Sequence, residues 1–353
     1  MTDVRDGGRQ HGALRAGPAC IATLGEGLLE VGVHPRLGED VLARGYGGDA
    51  ANVAVMAARL GARARLLSRV GDDAAGRLLL GFWRGAGVAL DEVAVDGDAP
   101  TGLYVNEVDE AGRHQFSFHR SGSAASLLAP ADVRASWFAG LDVLHVSGIG
   151  LSISDSAAAT VEQAVAQARA AGAAISFTVN FRPQLRPDRE RLLALARRAD
   201  VVFVSAEDGR ALVGESDPEP LVAALGAPAA EIVVTQGEQP AWLFADGDAL
   251  SLAPPPVLLV DAAGAGDALA GAYLARRFAG AAPAAALAAG VAASALSCQA
   301  SGCALGYPQA DEVAAATARL GVPVPVPAPA ATARARGAPA RGAARSRDTG
   351  AVR

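Results

Sequence analysis

Short, nearly continuous apolar runs alternate along this chain with longer segments in which apolar residues return every three or four positions. CIATLG, from Cys20, reads as a strand. DAANVAVMAARLG, from Asp49, reads as a helix with Val53, Met56, Ala57 and Leu60 on one face and Gly61 as its stop. ARLLSRVG then predicts a strand and DDAAGRLLLGFWRGAG a helix. DVLHVSG, AAISFTVN, DVVFVS and EIVVTQG continue the strands, separated by helical patterns such as SDSAAATVEQAVAQARAAG and PDRERLLALARRA. Strands that are apolar on both faces need cover on both faces, so the pattern predicts an α/β fold, a mostly parallel sheet flanked by helices.

One region departs from this rhythm. TGLYVNEV and RHQFSFHR alternate apolar and polar residues around DEAG, which predicts an antiparallel hairpin outside the main sheet, either a lid over a site or an edge decoration. From Phe278 to Ala310 no residue is charged, but the run is Ala, Gly and Ser with Pro283 inside it. A membrane-spanning helix draws on Leu, Ile, Phe and Val, so a helix buried within the domain is expected instead. Residues 1–18 are polar and Gly-rich without the apolar centre of a signal peptide, and read as a disordered leader. Residues 322–353 are rich in Pro, Ala and Arg and read as a disordered basic tail. Between them, 19–321 is expected to form one domain, with lid strands near 33–46 and 98–120.

Composition narrows the chemistry. Of the 353 residues 51% are hydrophobic but only 5% aromatic, so the core must be built from small side chains. A formal charge of −6 argues against a nucleic-acid partner. The chain has no lysine, which excludes Schiff-base chemistry and a P-loop lysine. Cys20, Cys298 and Cys303 form neither a disulfide framework nor metal-ligand spacing, as in a cytoplasmic protein with reduced thiols. The expected partners are small molecules, not nucleic acid or membrane.

Two Gly-rich segments carry chemical promise. In DAAGAGDALAGAYLARR (261–277), Gly264, Ala265 and Gly266 leave the backbone bare at the start of a helix, where N–H groups favour an anion, and Asp267 sits in that first turn. A carboxylate beside an anion hole can take a proton from a hydroxyl during phosphoryl transfer; the plain alternative is an ordinary helix-start acid. In YGGDAAN (46–52), Gly47 and Gly48 open a helix on which Asp49 and Asn52 lie three apart, on one face, suited to hydrogen-bonding a polyol or simply to capping.

Together, in this order and with the hairpin between them, these segments resemble the two signatures of the ribokinase, or phosphofructokinase-B, sugar kinase family over roughly residues 20–320. The resemblance implies a ribokinase-like fold with a small β lid and ATP-dependent phosphorylation of a sugar hydroxyl with Mg2+. Asp267 would be the base and Gly264, Ala265 and Gly266 the anion hole. A homo-oligomer, a dimer through the lid, would follow. Within the family, GLY at 102–104, FHRSGSAAS at 118–126, HVSGI at 145–149 and NFR at 180–182 are most similar to 2-keto-3-deoxygluconate kinases. That likeness implies that Gly48, Asp49, Asn52, Tyr104, Phe118, Arg120, Ile149 and Arg182 hold the acid sugar, a role guanidinium groups suit. It implies Asn180, Ser205, Asp208, Thr235, Gly237, Gly264, Gly266 and Gly290 for the nucleotide, with Asp208 toward the metal. The sequence departs from the pattern at Phe118, Thr178, Ser205, Asp208, Pro240 and Gly290. A fructokinase, ribokinase or nucleoside kinase remains open, as does a catalytically weak sugar- or nucleotide-binding regulator. A dinucleotide-dependent dehydrogenase fits poorly, since GAGDALAG lacks the third glycine and the ribose acid.

Overall fold

The computed structural model describes residues 17–33, 41–108, 114–227, 231–321 and 323–326. In chain order β1 (Cys20–Leu24) opens the main sheet, and β2 (Leu28–Val33) and β3 (Leu42–Gly47) leave it. Helix α1 (Asp49–Arg59) leads back to β4 (Arg63–Gly71), followed by α2 (Ala74–Gly85) and β5 (Val93–Asp96). The chain leaves again through β6 (Leu103–Val108) and β7 (His114–His119). It returns through β8 (Val143–Ser147), α3 (Asp155–Ala170), β9 (Ala174–Thr178), α4 (Arg189–Ala196), β10 (Val201–Ser205), α5 (Ala206–Val213), α6 (Pro218–Leu225) and β11 (Glu231–Gln236). A hairpin, β12 (Gln239–Ala245) and β13 (Asp248–Leu252), precedes α7 (Ala265–Phe278), α8 (Pro283–Ser297), α9 (Ala310–Arg319) and β14 (Val324–Val326).

The main sheet has the order β14-β13-β12-β11-β10-β9-β8-β1-β4-β5. It is parallel from β11 to β5 and antiparallel from β11 to β14. β1 and β8 are buried at every residue, as their unbroken apolar runs require of strands covered on both faces. One face packs on α1, α2, α7, α8 and α9, and the other on α3, α4, α5 and α6. The uncharged run is α8, buried from Ala286 to Ala293 inside the domain. Among the described residues no helix is long and apolar enough to cross a membrane.

Small residues let three helices press together. A Cβ on Gly271 of α7 would stand 2.7 Å from the Val53 carbonyl oxygen of α1, and one on Gly290 of α8 would stand 3.0 Å from the Leu269 carbonyl oxygen. The four outlying strands form a separate sheet, β3-β2-β6-β7. The lid is thus real, and its strands begin at Leu28 and at Leu103 instead of near 33 and 98. At the other end the boundary drawn at 322 is corrected, because Val324–Val326 pairs antiparallel with β13 and extends the sheet edge. The leader up to residue 16 and the tail from 327 lie outside the described residues.

Candidate active site

The carboxyl ends of the parallel strands converge, and the predicted residues sit at or just beyond them: Ile149 after β8, Asn180 and Arg182 after β9, Ser205 ending β10 with Asp208 beyond it, Thr235 near the end of β11 and Gly237 just past it. Ligands of open α/β sheets bind at this edge. Facing it are the starts of two helices. Side chains cap α2, α3, α4 and α5, whereas α1 and α7 begin at Gly48 (φ 96°) and Gly264 (φ 76°) without a side-chain cap. A Cβ on Gly266, in the first turn of α7, would meet nothing within 4 Å. The Ala265 amide is taken by the Ala262 carbonyl at 3.2 Å, and the space beside Gly266 is open, which fits a phosphate-bearing ligand at the next amides of this turn.

Asp267 stands in that first turn. Asn52 Nδ2 of α1 donates to its Oδ2 at 2.8 Å, a pairing made possible by the close α1–α7 contact at Gly271. Burial, then the neighbouring Asp49 carboxylate, push the Asp267 carboxyl up to about 7, against the hydrogen bonds of Asn52 and Asn180 and the charge of Arg182. Both Asp49 carboxylate oxygens and Asn52 Oδ1 are buried without a hydrogen-bond partner. Buried polar atoms are normally paired, so this cluster is shaped for hydroxyl groups brought by a ligand.

Under the lid, the expected binding residues are held by acids that sequence reading had passed over. Tyr104 donates to Glu30 Oε2 at 2.8 Å and Asn106 Nδ2 to Glu30 Oε1 at 2.8 Å. Burial, the main cause, raises the Tyr104 phenol far above its ordinary range. Arg120 Nη1 lies 2.5 Å from Glu26 Oε1, and its guanidinium covers the Phe118 ring at 4.3 Å. Burial lifts Glu26 to about 7 against the opposing Arg120 charge. Phe118 is half exposed on β7, and Ile149 is buried in the turn after β8.

On the far side, Arg182 reaches Asp208 Oδ1 at 3.5 Å and Asn180 Oδ1 at 3.2 Å, and Asn180 takes a left-handed φ of 39° to serve that turn. Ser205 caps α5 by accepting from the Asp208 amide, and the Phe181 amide donates to Asp208 Oδ1 at 2.9 Å. Burial, the largest influence, raises the Asp208 carboxyl. One oxygen of Asp208 is thus engaged, which suits contact with a hydrated cation through water more than direct ligation. Gly237, at φ 63°, turns β11 into β12 beside Thr235. Gly290 stands on α8. It lies buried in the α7–α8 seam, where an asparagine would strike Leu269, so its absent side chain reflects helix packing.

Two further residues complete the start of α7. Tyr307 donates to the Gly264 carbonyl at 2.7 Å, and Cys303 lies so close that a Cβ on Gly264 would stand 2.2 Å from its Sγ. Asp261 Oδ1 accepts from Ala263 N at 2.8 Å and Oδ2 from Gly302 N at 3.0 Å, bracing the loop before the helix. Glu26 and Glu30 did leave a trace in the sequence, two acids in the apolar stretch LGEGLLE; Cys303 and Tyr307 left none beyond the uncharged run.

Comparison with known proteins agrees with this geometry. The family described as pfkB family carbohydrate kinase matches residues 39–310. A 2-dehydro-3-deoxygluconokinase of Thermoproteus tenax is 37% identical over 261 residues, 70% of this chain and 78% of that protein. A probable fructokinase-4 of Arabidopsis thaliana is 32% identical over 234 residues, 65% and 72% of the two chains. A structure described as a putative ribokinase II from E. coli with ATP and magnesium superposes with a TM-score of 0.77 at 25% identity, covering 85% of this chain and 99% of that one.

Proposed function

Since the chain belongs to the pfkB family of carbohydrate kinases, and is a sugar kinase working with ATP and Mg2+, we propose that Asp267 is the base that accepts the proton of the acceptor hydroxyl. One observation carries this: a carboxyl raised to about 7, hydrogen-bonded by Asn52, in the uncapped first turn of a helix that faces open space. A base with its pKa near working pH combines adequate ionisation with useful basicity. Asp49 and Asn52 offer unsatisfied oxygens to sugar hydroxyls. Of the Gly264–Asp267 backbone the Gly266 and Asp267 amides serve the transferring group, Ala265 N being taken by the Ala262 carbonyl, and Asn180, Ser205, Thr235 and Gly237 line the nucleotide side. Magnesium supplies charge compensation on the phosphates when bound, with Asp208 placed toward its water shell.

For the acceptor, the resemblance to 2-dehydro-3-deoxygluconokinase and the placement of Arg120 and Arg182 support 2-keto-3-deoxygluconate, held through its carboxylate. One observation favours a neutral ketose such as fructose: both guanidinium groups already face acids, Glu26 and Asp208. A coupled ADP-release assay across acid and neutral sugars separates the two. Preferred turnover of the acid sugar is expected; preference for fructose would overturn the carboxylate reading, and no turnover with any sugar would overturn the kinase reading. Two copies are proposed to meet through the lids, where Val33 at the end of β2 and Val41 and Leu42 at the start of β3 are exposed.

A further inference from the structure

The thiol of Cys303 sits at the crossing of two interactions that the reaction depends on. Asn52 is buried, and its Nδ2 donates both to Asp267 Oδ2 at 2.8 Å and to Cys303 Sγ at 3.0 Å. Tyr307 donates its one hydroxyl hydrogen to the Gly264 carbonyl at 2.7 Å. Cys303 Sγ packs against that same glycine, 2.2 Å from where a Cβ on Gly264 would stand. The thiol therefore lies between the amide that holds Asp267 and the residue that opens α7.

This position does two things at once. An asparagine amide can flip, exchanging its oxygen and nitrogen at little cost in shape. Here both Nδ2 hydrogens are engaged, one by the base and one by sulfur, so a flip would lose both bonds. Asn52 Oδ1 is thereby left buried, without a partner, on the unsatisfied side of the cluster with Asp49. On its other side Cys303 abuts Gly264, whose left-handed φ leads into the first turn of α7. We propose that Cys303 is a positioning residue, which locks the Asn52 amide with its oxygen toward the acceptor sugar and its N–H on Asp267 while packing against the glycine that opens α7. This rests on the kinase reading above.

Serine retains the acceptor for the Asn52 N–H; alanine and valine do not. C303A and C303V should lower kcat about tenfold, a modest share of the hundredfold or more that general-base catalysis supplies. The KM for ATP should hold within a factor of two, and C303S should restore most of the loss. A pH readout separates positioning from packing. The groups facing Asp267 are Asp49 of α1, Arg182 and Asn180 after β9, and Cys303 and Tyr307 after α8. Once the amide is free to turn its oxygen toward the carboxylate, Asp267 loses a donor. The acid limb of the kcat–pH profile should then move to higher pH in C303A and C303V but not in C303S. Titration of the Asp267 carboxyl by 13C NMR reads the same shift without turnover, so it stands even if the chosen sugar is wrong. C303A with an unmoved Asp267 titration, or C303S as impaired as C303V while equally well folded, would overturn the proposal.

Discussion

At Asp267 the protein works against ionisation, which makes the carboxylate more basic. Burial and the Asp49 charge hold its carboxyl near 7, while Asn52, Asn180 and Arg182 keep it from rising further. The carboxylate fraction falls as pH drops through 7, so kcat should fall about tenfold per unit on the acid side, with the limb centred near that value. Asp267→Asn keeps shape and loses basicity; turnover should drop roughly 100-fold or more with sugar and ATP binding largely kept. Turnover within a few-fold of wild type would remove Asp267 from the role. The arginines give a second test at this scale. Losing a charge-assisted hydrogen bond costs about 1.5–3 kcal/mol, so Arg120→Ala or Arg182→Ala should raise KM for the acid sugar about tenfold to a hundredfold with little effect on ATP. Glu26 makes the prediction sharper, because Glu26→Gln removes the acid that engages Arg120 and should lower the acid-sugar KM. An unchanged or raised KM in that variant would mean that Arg120 serves only the ion pair. Asp267 and both arginines stood out as residue types in motif positions, and their roles remain proposals that these variants test. The acidic partners did not stand out, since Arg120 and Glu26 lie 94 residues apart and no local pattern links them.

Elements were legible where burial imposes a period. β1, β8 and β10 are apolar throughout because both faces are covered, and α1 carries a helical period because it packs on the sheet and on α7. The hairpin β12–β13 escaped notice, its half-buried residues giving a weaker alternation at the sheet edge. The lid was recognised from the alternation in β6 and β7, but β2 was placed late because Glu30 interrupts its apolar face, a charge tolerated there by Tyr104 and Asn106. At the β2–β3 end of the lid Val33 and Leu42 pair across the strands with Val41 beside them, and all three are exposed, Leu42 by 62%. Exposed apolar residues clustered on one sheet mark an interaction surface. Leu42→Glu should shift sedimentation from dimer to monomer without moving Glu30 or Tyr104. A wild-type chain that sediments as a monomer at micromolar concentration would remove the lid interface.

Across the whole molecule, the α/β alternation specified the parallel sheet and thereby the edge where the site assembles, because ligands gather at the carboxyl ends of such strands. What the pattern could not give was how far the sheet extends. Three residues of a Pro-, Val- and Ala-rich stretch, Val324–Val326, pair with β13 through a register centred on Pro325 opposite Leu250. Alternating prolines hid this strand, yet proline is tolerated on an edge strand, where one side of the backbone needs no donor. The consequence can be tested by two truncations. Removing residues 327–353 deletes a segment of Pro, Ala and Arg with little apolar surface to bury, and should leave melting temperature and activity unchanged. Removing residues 323–353 also strips the last strand and bares the backbone of β13, and the loss of a few net hydrogen bonds, each worth about 1 kcal/mol, should lower the melting temperature by several degrees. Activity at 25 °C should survive in both, since β13 and β14 stand at the edge of the sheet beyond the strands that carry Asn180, Asp208 and Thr235. Equal melting temperatures for the two truncations would mean that β14 adds nothing to the sheet in solution, and a fall already in the shorter truncation would place part of 327–353 against the domain.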